Sequence, residues 1–388
     1  MKKPVLLLGF ISFLNDVASE MLYPVLPIFL TQIIGAPVYI LGVIEGFANG
    51  GAALFKTVFG YWSDKLQKRK PFIFYGYLSS AVSKVVIALS NSWSLIFVGR
   101  FLDRFGKGLR TGPRDALLLG YTDKTNKGMV FGFHRAMDSA GAVLGPIIAL
   151  ILLQKFTDIR TILFIAAVPS FIAVLFIPFI AEARKSASIP TISTKVSFNN
   201  LVISKNFKKL LIGLALFSLG SSSDTFLILQ ARNLGLSLTL VIVAYVLYNI
   251  VYTISSIPAG RLSDKLGSKK VFIFGILIYF LVYSAFALNK NPALIWLLFA
   301  IYGLYIGITD GVSSAWVGTM IKVEQSGTAY GIVQTVTSLF TLSASVLGGI
   351  IWTAVSPSAT FGFGAFCALL SIFLFLRVED QASVGTIR

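Results

Sequence analysis

Ionisable side chains interrupt the apolar runs in the first half of this 388-residue sequence. Asp16 and Glu20 lie four residues apart and Tyr23 follows, so a helix would place all three on one face. A carboxylate withdrawn from water shifts toward its neutral form and can bind and release protons near neutral pH. The candidate proton carriers of the whole chain are Asp16, Glu20, Glu45, Asp224 and Asp310.

Basic groups form a second stripe. Arg100, Arg104 and Lys107 are spaced as neighbours on one helix face. Arginine keeps its charge and offers a bidentate fork, so these groups are candidates for an anionic substrate or for a relay with carboxylates. The alternative is that many of the charges neutralise one another as structural pairs. Further candidates are His134, Arg135 and Asp138, within one helical turn, and Gln334 in a later polar stripe.

The residue types needed for covalent or metal chemistry are scarce. Cys367 is the one cysteine, which excludes a disulfide within the chain and a thiolate metal site. His134 is the one histidine, which excludes a histidine cluster around a metal. No nucleophile with a partnered base accompanies the candidates around His134. We therefore expect no enzyme, no metal site and no cofactor.

The elements that carry these groups are membrane spans. Apolar residues make up 56% of the chain and charged residues 13%, against roughly 25% charged in soluble domains. A bilayer-spanning helix needs about 20 mostly apolar residues. Turn and charge punctuation predicts an all-α membrane protein with twelve such helices. The predicted spans are 5–30, 37–60, 71–90, 93–118, 128–154, 161–181, 208–231, 237–259, 271–289, 293–318, 327–353 and 359–376.

The net charge of +17 is explained by topology. An even number of spans puts both termini on one side of the membrane. A cytoplasmic N-terminus places 21 Lys and Arg residues in inside loops and tails and 4 in outside loops, as the positive-inside rule requires. We therefore expect both termini in the cytoplasm, and the bilayer rather than a nucleic acid as partner.

An internal repeat divides the chain. The segment from Gly60 to Lys70 recurs from Gly260 to Lys270, and each copy follows the second span of its half. Even-span repeats of this kind share one orientation in the membrane. The predicted organisation is an N-terminal six-helix bundle over 1–181, a polar cytoplasmic linker over 182–206 and a C-terminal six-helix bundle over 207–388.

These features resemble the major facilitator superfamily of secondary transporters. The paired loops resemble its signature loop, Arg100 stands where its fourth span carries an arginine, and Gly141 to Pro146, through Gly145, resembles its antiporter motif. The run from Asp103 to Arg110, Asp-Arg-x-Gly-Lys-Gly-x-Arg, is similar to a bacterial branch of the family. The resemblance implies a conformational latch at Gly60, Asp64, Lys65, Gly260, Asp264 and Lys265.

The resemblance implies an alternating-access transporter of a small organic solute. Its span-five motif implies proton-coupled antiport and export. The alternative is a proton-coupled uptake symporter for an organic anion, because the predicted spans of the first half hold eight basic groups against six acids. We expect a monomer in a bacterial inner membrane, with protons and a small-molecule substrate as its other partners.

Overall fold

The computed structural model is nearly all helical and describes residues 2–66, 68–121, 127–156, 158–181, 204–320 and 326–379. The helices of the first half are α1 (Lys3–Leu22), α2 (Leu26–Ile28), α3 (Val38–Leu66), α4 (Lys70–Ala88), α5 (Trp93–Gly120), α6 (Lys127–Lys155) and α7 (Ile159–Phe176). Those of the second half are α8 (Lys205–Gly220), α9 (Thr225–Asn233), α10 (Leu238–Leu266), α11 (Ser268–Leu288), α12 (Ile295–Thr319), α13 (Ser326–Ala354) and α14 (Pro357–Leu376). A π-helical segment, Phe29–Ile33, continues α2.

Each of the twelve predicted spans coincides with a helix or an interrupted helix. Ten helical runs within the described residues are long and apolar enough to cross a membrane. The other two predicted spans are α3 and α5, with 29 and 28 residues. The apolar part of α3, Val38–Ala48, is short, and α5 carries the charged stripe around Arg100. The fold is therefore an all-α membrane fold of twelve helical spans.

Short polar signals set the helix ends between the apolar runs. The Ser204 hydroxyl accepts a hydrogen bond from the backbone N–H of Phe207 at the start of α8, and Ser356 caps α14 in the same way. Gly267 separates α10 from α11 with a φ of 90°, a conformation that side chains with a Cβ rarely adopt. These signals divide the long apolar segments into separate spans.

The first span of each half is interrupted within its length. The helix of the first span is interrupted between α1 and α2 at residues 23–25, where the sequence places Pro24. The helix of the seventh span is interrupted between α8 and α9 at residues 221–224, and Asp224 lies in this interruption. Irregular backbone at membrane depth must be satisfied by protein groups. In the second interruption, the Tyr279 hydroxyl donates to the Gly220 carbonyl at 2.9 Å.

Contacts divide the chain into two units, Met1–Pro190 with Leu227–Val246, and Thr191–Phe226 with Leu247–Arg388. In the first unit, α1 packs on α6 and α7, and α4 packs on α5 and α7. In the second, α8 packs on α13 and α14, and α11 packs on α12 and α14. Corresponding helices of the sequence repeat thus pack in one pattern. The exact boundaries predicted for the bundles and the linker stay a prediction, since residues 182–203 lie outside the described part.

Candidate functional site

A polar cavity of about 100 Å³ lies in the first unit, between α1, α4 and α5. Six of the predicted candidates line it, namely Asp16, Glu20, Tyr23, Arg100, Arg104 and Lys107. Three further charged groups join them, namely Lys84, Asp103 and Arg110. The lining therefore carries five basic and three acidic side chains in a part of the protein where each uncompensated charge is costly.

Two glycines of α6 allow α1 to hold its carboxylates in this position. A Cβ added to Gly141 would lie 2.9 Å from the Cβ of Asp16, and one added to Gly145 would lie 2.7 Å from the Cβ of Glu20. The Gly145 position also lies 2.6 Å from the backbone oxygen of Val17. Only a residue without a side chain permits this backbone approach. The span-five motif thus packs directly against the turns of α1 that carry the two acids.

Four of the buried charges form one network. Glu45 is fully buried and accepts hydrogen bonds from Arg100 Nε at 2.9 Å and from Arg100 Nη2 at 2.6 Å. Arg100 Nη1 lies 3.9 Å from Asp103 Oδ2, and Lys84 Nζ lies 3.6 Å from Asp103 Oδ1. Each of these four charged groups has an opposite charge beside it. Glu45 and Asp103 thus fit a structural role as counterions.

Three basic groups of the cavity form no ion pair with a carboxylate among the described residues. Arg110 has neutral partners, since it donates to the Ser80 hydroxyl at 2.6 Å and lies over the Tyr77 ring. The Nε atom of Arg104 is buried and finds no hydrogen-bond partner within that same part of the chain. Lys107 is exposed where it lines the cavity. Arg104 and Lys107 thus line the cavity without a carboxylate ion-pair partner among the described residues.

Of the two carboxylates of α1, Glu20 accepts a hydrogen bond from a tyrosine, and the charge of Lys107 acts on both. Glu20 Oε2 accepts a hydrogen bond from the Tyr245 hydroxyl at 2.9 Å, and the Tyr245 ring stacks on Tyr23 at 5.5 Å between centroids. The positive charge of Lys107 acts on both Asp16 and Glu20. When either carboxylate takes up a proton, it becomes neutral. Less negative charge then compensates the positive charge of Lys107.

The α6 candidates lie in a second polar cluster. His134 Nδ1 lies 3.4 Å from Asp138 Oδ2, whereas Arg135 is exposed. On the facing part of α5, Arg114 pairs with Asp115 at 3.1 Å. Arg114 and Asp115 therefore neutralise each other within α5.

The remaining candidates belong to the second unit and bond to neutral groups. Asp224 accepts hydrogen bonds from the hydroxyls of Tyr302, at 2.6 Å, and Tyr248, at 3.3 Å. Asp310 accepts from the Tyr252 hydroxyl at 2.8 Å. Gln334 is exposed and donates to the Ser338 hydroxyl at 3.1 Å. Tyrosine hydroxyls thus donate hydrogen bonds to both acids of this unit.

The six predicted latch residues lie in the last two turns of α3 and α10, before the loops that follow these helices. The exposed latch residues are Lys65, Asp264 and Lys265. The side chain of Asp64 lies outside the described part of the chain. A Cβ added to Gly60 or Gly260 would meet nothing within 4 Å, so close packing does not require glycine at either position in this conformation. The latch role of these loops stays a prediction.

Sequence reasoning omitted four members of the site from its candidates, namely Lys84, Asp103, Arg110 and Tyr245. Asp103 and Arg110 lie on the same stripe of α5 as Arg100, so their spacing carried a signal. Lys84 is a charge inside an apolar run, which was also a signal. The Tyr245 contact with Glu20 joins residues 225 positions apart, and no local pattern marks it.

Twelve helical spans, a repeated helix arrangement and a charged interior cavity define a polytopic membrane transporter. No group of His, Cys, Asp or Glu side chains in the described ranges could hold a metal ion. The family model of the Major Facilitator Superfamily matches residues 8–230 and 210–387. The chain belongs to this superfamily and is a multi-pass membrane transporter rather than an enzyme.

Relatives and solved structures agree with this assignment. The chain is 37% identical over 385 residues to the "Uncharacterized MFS-type transporter MJ1317" of Methanocaldococcus jannaschii, covering 97% of this chain and 95% of that protein. It is 24% identical to "Sugar efflux transporter B" of Salmonella typhimurium, covering 95% and 94%. The crystal structure of the nucleoside transporter NupG matches with a TM-score of 0.79 at 14% identity, covering 98% and 100%, which shows a shared fold.

Proposed function

We propose that this transporter carries a small organic anion together with protons, by alternating access. The observation that carries the proposal is the pair Arg104 and Lys107, which line the cavity without a carboxylate ion-pair partner among the described residues. Asp16 and Glu20 line the same cavity and are the proposed proton carriers. Arginine matches the two oxygens of a carboxylate or phosphate, and lysine adds a point charge.

Proton and anion binding support each other in this arrangement. Protonation of Glu20 or Asp16 removes a negative charge from a cavity that Lys107 and Arg104 share. The excess of positive charge in the cavity lining then becomes larger, which favours the binding of an anion. Linkage is reciprocal, so the bound anion also favours protonation of the carboxylates. A symporter needs this coupling, in which the anion and the protons bind together and neither crosses the membrane alone.

Export by proton antiport is the second candidate. Its support is the Gly141 and Gly145 contact with α1, within the motif that resembles the antiporter motif, together with a relative named for sugar efflux. In this scheme a neutral or basic solute and protons compete for Asp16 and Glu20. The two candidates therefore predict opposite effects of protons on solute binding.

The proposed setting is a bacterial inner membrane, in which the transporter acts as a monomer with both termini in the cytoplasm. The excess of Lys and Arg in alternate loops supports this orientation. Reporter fusions at the two termini test it, and a reporter active on the outer side would overturn it.

A thermal-shift screen of the purified transporter tests the proposed substrate class. The probes are methanesulfonate, succinate, inorganic phosphate, glucose and tetraphenylphosphonium, each at mildly acidic and mildly alkaline pH. We expect the anions to raise the melting temperature, and more so at acidic pH. Stabilisation by glucose or tetraphenylphosphonium, without an effect of the anions, would instead support the antiport candidate.

Arg104→Ala and Lys107→Ala tie the expected binding to the cavity. Each should weaken the affinity for the anion that stabilises best by about ten-fold or more, which corresponds to about 1.4 kcal/mol. Lys290→Ala removes an exposed positive charge just after the end of α11 and is the matched control. Equal anion affinity in all three variants would overturn the assignment of this site.

A further inference from the structure

His134 and Asp138 form a buried pair that the proposed substrate site does not use. Neither residue lines the cavity between α1, α4 and α5. His134 is 5% exposed, and its Nδ1 atom lies 3.4 Å from Asp138 Oδ2. The outer atoms of the pair, His134 Nε2 and Asp138 Oδ1, are buried and have no hydrogen-bond partner among the described residues.

Unsatisfied buried atoms also occur at Glu45 Oε2 and Asp103 Oδ1, but the His134–Asp138 pair lacks a hydrogen-bond partner among the described residues at both of its outer ends. Buried polar side-chain atoms in native proteins are nearly always hydrogen-bonded, and each exception needs a reason. Ionisable groups at membrane depth are expensive and mark ion or proton pathways by default. Imidazole is the side chain best suited to exchange protons near neutral pH. The pair therefore has one unfilled hydrogen-bonding position on each side among the described residues.

Charged and polar groups of the neighbouring helices surround Asp138. Arg114 of α5 acts on it electrostatically and donates to the Ser12 hydroxyl of α1 at 3.1 Å. The negative charge of Asp138 in turn acts on Asp16 of α1. Asp115 of α5 is already paired with Arg114. Asp16, which lines the cavity, is thus a second carboxylate whose charge interacts with that of Asp138.

The helix contact that Gly141 permits keeps these groups together. Gly141 follows Asp138 by three residues on α6, and a Cβ at Gly141 would touch the Cβ of Asp16 at 2.9 Å. Residues three apart lie on the same side of a helix. The faces of α6 and α1 that meet here therefore carry Asp138 and Asp16 on adjoining turns.

We propose that His134 and Asp138 form a proton relay that loads and unloads Asp16 from the end of the first unit where α1 and α6 begin. A proton moves from His134 Nδ1 to Asp138 Oδ2 and then on to Asp16, while water returns a proton to His134 Nε2. Reversal of these steps empties Asp16. The relay rests on the proposed proton coupling, and it is independent of the substrate and of the direction of transport.

A rapid pH jump on the purified transporter in liposomes, followed with a pH-sensitive dye, tests the relay without any substrate. His134→Gln keeps a similar size and a hydrogen-bond donor but cannot carry the proton onward. We expect proton uptake to slow about ten-fold or more, with at most one fewer proton bound at equilibrium. Uptake at the rate of the unmodified transporter would overturn the relay.

Substitutions of Asp138 separate a relay from a structural role. Asp138→Asn should slow proton uptake as His134→Gln does, and Asp138→Glu should restore most of the rate because it returns a carboxylate. Asp115→Asn removes a carboxylate from the neighbouring helix and is the matched control, with an expected rate close to that of the unmodified transporter. A slow Asp138→Glu variant, or an equally slow Asp115→Asn variant, would contradict the relay.

Methanesulfonate binding distinguishes failure of the relay from failure of the proposed function. His134→Gln should bind methanesulfonate with unchanged affinity, because His134 does not line the cavity. A large loss of affinity in this variant, with normal proton uptake, would place His134 in substrate binding and overturn the relay. If the unmodified transporter binds no anion and His134→Gln still slows proton uptake, the relay stands and the anion proposal falls.

Discussion

At the scale of single residues, the charges of the first unit divide by whether an opposite charge lies beside them. Glu45, Arg100, Asp103 and Lys84 neutralise one another in a buried chain of contacts. A buried pair of this kind contributes little net stability, but the loss of one member leaves an uncompensated charge. This network therefore fits a structural role, and the proposed substrate-binding groups are Arg104 and Lys107, which have no carboxylate ion-pair partner among the described residues.

Replacement of Glu45 tests the structural assignment. Glu45→Gln leaves Arg100 with one distant carboxylate, so we expect the transporter to lose about 3–5 kcal/mol of stability and to melt at a lower temperature. Adding Arg100→Met removes the charge left behind and should recover much of the loss. Circular dichroism during heating measures both. A single variant as stable as the unmodified transporter would contradict the assignment.

The sequence indicated many of these residues but not how they pair. The stripe on α5 predicts that Arg100, Arg104 and Lys107 share a face, since helical periodicity is local information. It does not predict that Arg100 pairs with Glu45 or that Arg104 keeps a buried nitrogen without a partner among the described residues. Those outcomes depend on how α3, α4 and α5 pack together. Glu45 is thus a candidate proton carrier in the sequence, and the structure adds its hydrogen bonds from Arg100.

At the scale of helices, the contact between α1 and α6 sets the position of the proposed proton carriers. Gly141 and Gly145 lie one turn apart and let α6 approach the turns of α1 that hold Asp16 and Glu20. The span-five motif was identified in the sequence by resemblance alone. The structure gives it a physical role, since the atoms that a Cβ at Gly145 would meet are backbone atoms or the root of a side chain.

Gly145→Ala tests that role. The new Cβ would lie 2.6 Å from the Val17 carbonyl oxygen and 3.0 Å from the Met21 nitrogen, so α6 must move away from α1. We expect a lower melting temperature and slower proton uptake in a pH jump.

Gly362→Ala is the matched control for this substitution. A Cβ added at Gly362, within α14, meets nothing within 4 Å, and alanine favours a helix over glycine by about 1 kcal/mol. The control should therefore be at least as stable as the unmodified transporter. If Gly145→Ala melts and takes up protons as Gly362→Ala does, the close contact has no functional weight.

The spans themselves were predictable, because hydrophobic length and turn residues are encoded locally. The interruption at residues 23–25 was also indicated by Pro24. The interruption at 221–224 has no proline and contains Ser221, Ser222 and Ser223 instead. There the backbone is satisfied by partners distant in the sequence, such as the Ser345 hydroxyl, which accepts from the Ser223 N–H at 3.2 Å.

At the scale of the whole molecule, the two repeats share one pattern of helix packing but differ in their polar side chains. Corresponding helices pack in the same pattern within each unit, yet the first unit holds the charged cavity. The acids of the second unit accept hydrogen bonds from tyrosines instead. The proposed proton and anion site therefore lies in the first unit, whereas tyrosines donate hydrogen bonds to the acids of the second unit.

Titration calorimetry with methanesulfonate at several pH values directly measures the proposed linkage between proton binding and anion binding. Methanesulfonate keeps its charge over the range, so any pH dependence belongs to the transporter. We expect the affinity for methanesulfonate to rise as pH falls, by up to about ten-fold per pH unit for each proton bound with the anion. The double variant with Asp16→Asn and Glu20→Gln should remove this pH dependence. Affinity that falls as pH falls, or that does not change, would contradict the proposed linkage.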